Sequence, residues 1–266
     1  VHVPGPGSII TLTTDFGVGS PYVAAMKGVI LSLNPAVTIV DLTHAILHQD
    51  IREGAWTLAD FTPWFPKGTI HVAVVDPGVG TERRIIYARI GEQQYLAPDN
   101  GLLGRLALRT PPSTIIALSD RAYWQPQVSN TFHGRDIFAP VAAHLSLGLA
   151  PERLGPAQDD LVHIAWPEVH IVPGKIQGSV SSIDSFGNLV TDITSDMLKD
   201  APTDESVRVE CDEHETLGIF RTYGDQPPMT LVALVGSSGH LELAIVGDSA
   251  AMMLGVGRGA KVTVSW

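Results

Sequence analysis

The alternation in the first half of the chain narrows the possible folds most. Apolar runs "IITLTT" (9–14), "VTIVDL" (37–42) and "TIHVAVV" (69–75) are separated by stretches with helical spacing, from about Tyr22 to Leu33 and from about Ile51 to Asp60. Strands joined through helices pair in parallel, so this order predicts a largely parallel sheet covered by helices. Asp50 with Glu53 resembles a capping pair opening the second helix, and Pro63 and Pro66 stop it. "RRIIYARIGEQQYLAPDNG" reads as a hairpin turning at Gly91, followed by a strand at 114–118 and a helix within 136–147.

Around residues 150–174 the pattern gives way to "APERLGPAQDD" and "WPEVHIVPGK", rich in proline and without periodicity. The short runs beyond it, among them "GKIQGSVSSID", "NLVTDI", "TLVALVG", "LELAIVG" and "AKVTVSW", are separated by turn residues and predict a small barrel or sandwich. The expected organisation is a disordered segment over 1–8, an α/β domain over 9–155, a linker over 156–174 and a smaller β-barrel-like domain over 175–266. The fold class is therefore α/β, with a second, β-rich domain.

Composition removes several classes of function. Lys plus Arg number 17 against 28 Asp plus Glu, a formal charge of −11, which argues against a nucleic-acid backbone as partner. No run approaches the roughly 18 apolar residues of a membrane span, and "VHVPGPGS" lacks the regions of a signal peptide. The single cysteine, Cys211, makes neither an intramolecular disulfide nor a multi-cysteine zinc site, and it fits a cytoplasmic protein.

Two strand ends carry nearly the same loop, "TTDFGVG" (13–19) and "VVDPGVGTERR" (74–84). Neither supplies the Lys-Ser/Thr pair of a Walker loop or the third small residue of a dinucleotide loop. "GVGRGA" (255–260) matches the dinucleotide spacing but lacks the flanking strand and helix. What remains is an Asp at the carboxyl end of a strand, where open α/β sheets bind ligands, although Asp also stabilises tight turns. On spacing alone, Arg83 and Arg84 are equally able to return to Asp76.

"NTFHGRDIFAP" (130–140) groups Phe132, His133, Arg135 and Asp136 around Gly134, with Asp136 also readable as a helix cap and Arg135 as a surface ion-pair partner. His44 and His48 have the i, i+4 spacing of helix-borne metal ligands, but no Glu completes a zinc motif and no metal is expected. No nucleophile elbow occurs. In the second domain, "SIDSFGNLVTDI" (182–193) and "GSSGHLELAI" (236–245) place polar groups on glycine turns, as ordinary hairpins do. A functional reading gives Phe186 a flat ring to stack on, Asn188 its edge, and Asp184 and the serines its polar ends.

Taken together, "TLTTDFG", "YVAAMKG", "DIREGA", "VVDPGVGTERR", "PDNGLL", "FHGRDIFAP", "DSFGNLVTDI" and "SSGHLELA" resemble the S-adenosyl-L-methionine (SAM) hydrolases, or SAM hydroxide adenosyltransferases, relatives of the fluorinase and chlorinase. The resemblance runs from about residue 9 to the C-terminus and keeps motif order. It implies a homotrimer with small-molecule sites at subunit interfaces and the reaction of SAM with water to adenosine and L-methionine, with no cofactor. It selects Asp76, Arg83 and His133 as the catalytic set and gives the ribose hydroxyls to Asp15. Phe132, Phe186 and Asn188 fall around the adenosine, Asp184 and Ser237 around the amino-acid end, and Gly134 counts with the substrate-binding positions. Gly236 stands where many relatives have Asn, while Asp76, Val79 and Gly134 replace fluorinase residues, and the anionic Asp76 favours water over halide.

The implied chemistry is coherent. Attack at C5′ displaces a neutral thioether from a sulfonium, so the difficulty lies in water, whose bulk pKa is near 15.7. A carboxylate or imidazole is needed to orient it and accept its proton. A non-catalytic SAM or adenosine binder and a halide-dependent enzyme are the competing readings.

Overall fold

The computed structural model describes residues 8–266, so the disordered segment expected over 1–8 lies, Ser8 apart, outside the described residues. The chain divides into two compact units, one ending at Ile164 and the other beginning at Ala165.

In the first unit, β1 (Ile9–Thr14) is buried along nearly its whole length, as a strand flanked on both edges and covered on both faces must be. α1 (Pro21–Leu33) starts where Ser20 accepts the Tyr22 N–H and Pro21 occupies the first turn, and it turns Val23, Met26 and Ile30 into the core. β2 (Thr38–Thr43) leads to α2 (Ile51–Phe61), whose first turn is capped by Asp50 accepting from Glu53 N at 2.8 Å. The remaining elements are β3 (Ile70–Val74), β4 (Ile85–Ile90), β5 (Gln93–Pro98), α3 (Gly104–Arg109), β6 (Pro112–Ala117) and α4 (Ala139–Ser146).

The sheet order is β2-β1-β3-β5-β4-β6, with β2, β1, β3 and β5 parallel. β4 runs against both β5 and β6, which makes the sheet mixed. The cause is the expected hairpin: only Gly91, at φ +58°, and Glu92 separate β4 from β5, too few residues for a crossover. The helix expected within 136–147 begins as a single π-helical turn over Gly134–Phe138 before α4. Residues beyond β6 stay on this unit, through the Ile116–Ala157 bridge and the burial of Leu161 beside Leu102 and Leu103.

The second unit is antiparallel. It comprises β7 (His170–Val172), β8 (Lys175–Ile183), β9 (Leu189–Thr194), β10 (Arg208–Cys211), β11 (His214–Leu217), β12 (Leu231–Val235), β13 (His240–Ile245), the short α5 (Ala250–Leu254) and β14 (Lys261–Ser265). Their order is β11-β10-β14-β8-β9-β13-β12, with β7 added beside β8. β8 pairs with β14 and β7 through its first half and with β9 through its second, bending one sheet into the other. The free edges meet where Thr216 Oγ1 donates to Leu231 O at 2.9 Å and Phe220 bridges to Leu234, nearly closing a barrel around Ile176, Val180, Leu189, Val209 and Leu243. Among the described residues no helix is long and apolar enough to cross a membrane.

Candidate active site

β1 and β3 are neighbouring parallel strands in register, Thr14 opposite Val74, so Asp15 and Asp76 leave the same edge of the sheet at its carboxyl end. Asp76 opens a tight loop closed by Val79 N to Asp76 O and Thr81 N to Gly78 O. Gly80 has φ +79°, and a Cβ there would overlap the Asn130 carbonyl. The glycine thus lets this loop lie directly on the one that carries His133.

The turn brings Arg83 back onto Asp76. Arg83 Nε lies 2.9 Å from both carboxylate oxygens and Nη2 2.5 Å from Oδ2, a side-on, two-nitrogen contact in which the Asp76 side chain is only 4% exposed. Arg84 points elsewhere, to Asp99 at 2.6 Å and Asp160 at 2.9 Å. The two arginines are adjacent in the segment that leads into β4, and successive side chains of an extended chain face opposite sides.

Arg83 Nη2 also lies 2.9 Å from His133 Nδ1. Guanidinium has no acceptor, so Nδ1 accepts and the neutral ring carries its proton on Nε2. Burial, and then the Arg83 charge, hold the His133 imidazole below its ordinary pKa, with Asp76 and Asp136 opposing. His133 sits at the head of the π-helical turn. Asp136 caps nothing there: it accepts from Ser129 N and Oγ, each at 2.8 Å, and from Arg135 Nε at 2.6 Å, fixing the loop before His133.

Beside this loop, Phe132 makes edge contacts with Phe16 at 5.9 Å and Tyr22 at 5.0 Å. A Cβ on Gly134 would meet Met26 Sδ at 3.1 Å and Phe132 at 3.3 Å, so this position has little room for a side chain. Asp15 is held through Oδ2 by Gln49 N at 2.8 Å, and Gln49 adopts φ +65° to present that N–H. His44, buried, faces Thr14 Oγ1 at 2.9 Å and Asp41 at 3.0 Å, whereas His48 is exposed. Among the described residues no group of three or more His, Cys, Asp or Glu is arranged to hold a metal.

The second unit contains a cleft of about 620 Å³ lined by Asp184, Phe186, Asn188, Ser237 and Ser249, among others. Asp184 Oδ1 accepts from Phe186 N and Asn188 N, and its Oδ2 from Asn188 Nδ2, which ties the hairpin turn together. Gly187, at φ +84°, has no room for a Cβ against Ser249. Phe186 is left 78% exposed at the rim, a cost in water that a stacking ligand would remove. The cleft brings Asp184, Phe186, Asn188 and Ser237 together, while Asp15, Asp76, Arg83, Phe132, His133 and Gly134 belong to the first unit.

Among the cleft residues that escaped sequence reasoning are Tyr223 and Glu242, joined by a 2.9 Å hydrogen bond. Burial, and then Glu242, push the Tyr223 hydroxyl up to about 12, and burial raises Glu242 above the usual carboxylate range. A signal existed: Glu242 is the one acid within the apolar run "HLELAI".

The fold and these groups define an α/β unit with an Asp-Arg-His cluster at its strand ends, accompanied by a barrel-like unit with an acidic, aromatic-rimmed cleft. The chain belongs to the SAM hydroxide adenosyltransferase family: its N-terminal domain model matches residues 10–155 and its C-terminal domain model residues 178–263. The chain is 38% identical to the (R)-S-adenosyl-L-methionine hydrolase of Salinispora tropica, over 98% of each chain, and 39% identical to that of Thermus thermophilus, over 94% of this chain and 96% of the relative. A fluorinase from Actinoplanes is 31% identical over 72% of this chain and 74% of its own. The crystal structure of an uncharacterized conserved protein from Thermotoga maritima matches with a TM-score of 0.92 at 34% identity, over 97% of this chain and all of that one.

Proposed function

We propose that this chain hydrolyses SAM to adenosine and L-methionine by attack of water at C5′. The observation that carries the reading is the buried Asp76 carboxylate gripped side-on by Arg83, which also reaches His133, in a chain whose relatives include named SAM hydrolases.

Asp76 Oδ1 accepts only the Arg83 Nε bond among the described residues, so a lone pair remains to take a proton from water. The His133 Nδ1 lone pair is occupied by Arg83, and its Nε2–H is a donor, suited to orienting the water oxygen rather than deprotonating it. As the O–C5′ bond forms, the C5′–S bond breaks and its electron pair returns to sulfur, while the water proton passes to Asp76 and then to solvent. Arg83 keeps the carboxylate oriented and offsets charge developing on oxygen. In-line placement of water and substrate supplies roughly 7–11 kcal/mol of the barrier reduction.

In this reading Asp15 grips the ribose hydroxyls, Phe132, Phe186 and Asn188 surround the adenosine, Asp184 and Ser237 hold the amino-acid end, and Gly134 is a further substrate-binding position. We further propose a cytoplasmic homotrimer with each site completed at a subunit interface. Incubating pure protein with SAM and following adenosine and methionine tests the activity: both accumulate in equal amounts with wild type, and equal silence of wild type and Asp76→Ala contradicts it.

A further inference from the structure

Glu242 lies in the middle of β13, every residue of which is buried, and its own exposure is 7%. Such a position ordinarily takes an apolar side chain, because a buried carboxylate without a counter-charge is costly. Glu242 nevertheless lines the cleft, together with Asp184 and Ser237. Its carboxylate packs directly on the backbone of Gly236, where a Cβ would overlap it, so the turn that presents Ser237 also fixes Glu242.

The hydrogen bonding is one-sided. Tyr223 donates to Oε2 at 2.9 Å, while Oε1 accepts from none of the described residues. None of their ion pairs involves Glu242 or Asp184. Of the two carboxylates, Asp184 already receives three donors from its own turn, two of them on Oδ1, so Glu242 has the larger unused acceptor capacity. Two acids without an ion-pair partner lining one cleft favour a cationic donor from the ligand.

We propose that Glu242 is a substrate-recognition residue, its carboxylate receiving the α-ammonium of the substrate's amino-acid end while Tyr223 acts as the positioning residue that aims it. The inference rests on the SAM reading above. It explains why an acid interrupts an apolar strand, and why residue 236 lacks a side chain where the carboxylate packs.

Three probes separate recognition of the ammonium from general damage: SAM, S-adenosyl-L-homocysteine, which keeps the ammonium but not the sulfonium, and 5′-methylthioadenosine, which has neither. Glu242→Gln is expected to raise KM for SAM and Ki for S-adenosyl-L-homocysteine about tenfold or more, with kcat within threefold and Ki for 5′-methylthioadenosine within twofold. Tyr223→Phe, which removes only the hydroxyl, should give the same ordering at about threefold, and it decides the matter if Glu242→Gln does not fold. Equal weakening of all three probes, or no change in any, overturns the inference. Wild-type protein that binds S-adenosyl-L-homocysteine yet leaves SAM intact refutes the hydrolase reading alone, and the inhibitor comparison still decides the role of Glu242. Wild type that binds none of the three overturns both.

Discussion

Arg83 Nη2 lies 2.9 Å from Nδ1 of His133, a residue fifty positions further along the chain. Because the same guanidinium holds Asp76, one side chain sets the orientation of a carboxylate and the tautomer of an imidazole together. A point charge on a flexible stem has no such fork.

Arg83→Lys is therefore a severe change despite keeping the charge. We expect Arg83→Lys and Asp76→Asn each to lower kcat about 10²- to 10⁴-fold, the span of a positioned acid-base group, with KM for SAM within about threefold. Steady-state kinetics checks this, and a conservative Arg83→Lys effect below threefold would remove the fork from the account.

The imidazole of His133 should stay neutral below the ordinary histidine range, since burial and Arg83 both disfavour its charged form. The sign follows: activity that needs the neutral ring persists as pH falls through 6.5 and is lost only at lower pH. Nitrogen-15 NMR should report the proton on Nε2 at pH 7 and a titration midpoint below 6.5.

His71 bears on stability rather than catalysis. It is fully buried, stacked on Tyr95 at 5.0 Å and bonded to Thr11 at 2.7 Å, and burial pushes its pKa down to about 3. Unfolded chains protonate near 6.5, so below that pH the unfolded state binds more protons and stability falls by about 1.4 kcal/mol per unit down to about pH 3. Urea unfolding at pH 7 and 4.5 should differ accordingly, and His71→Phe should flatten that slope.

Gly80 and Gly68 both have positive φ, near +80°, yet a Cβ on Gly68 would meet nothing within 4 Å whereas one on Gly80 would overlap the Asn130 carbonyl. Gly68→Ala should cost about 1–2 kcal/mol of stability, the left-handed penalty alone, and leave kcat unchanged. Gly80→Ala must also push Asn130 away, so it should cost more and lower kcat at least tenfold as His133 moves from Arg83. Denaturant melts paired with kinetics separate the two effects.

The order of elements was legible because apolar period and helix punctuation agree: β1 fills Ile9–Thr14 as expected, and α1 begins one residue before the expected Tyr22. The antiparallel β4 was present in the Gly91 turn, but its insertion between β5 and β6 depends on pairing that no local pattern records. At the site, spacing left Arg83 and Arg84 equivalent; the alternation of side chains entering β4 divides them between Asp76 and Asp99. Gln49 was invisible, since what it contributes to Asp15 is a backbone N–H. Glu242 went unread although an acid inside an apolar run was a signal, and its partner Tyr223, nineteen residues earlier, carried none.

The most direct test of the central claim is chromatography with mass detection of a SAM incubation in oxygen-18 water. Attack by water at C5′ predicts adenosine and L-methionine in equal amounts, with one heavy oxygen in the adenosine 5′-hydroxyl, and Asp76→Ala reducing both together. Adenosine without the label, cleavage on the amino-acid side of sulfur to give 5′-methylthioadenosine, or no products from the wild-type protein would contradict it.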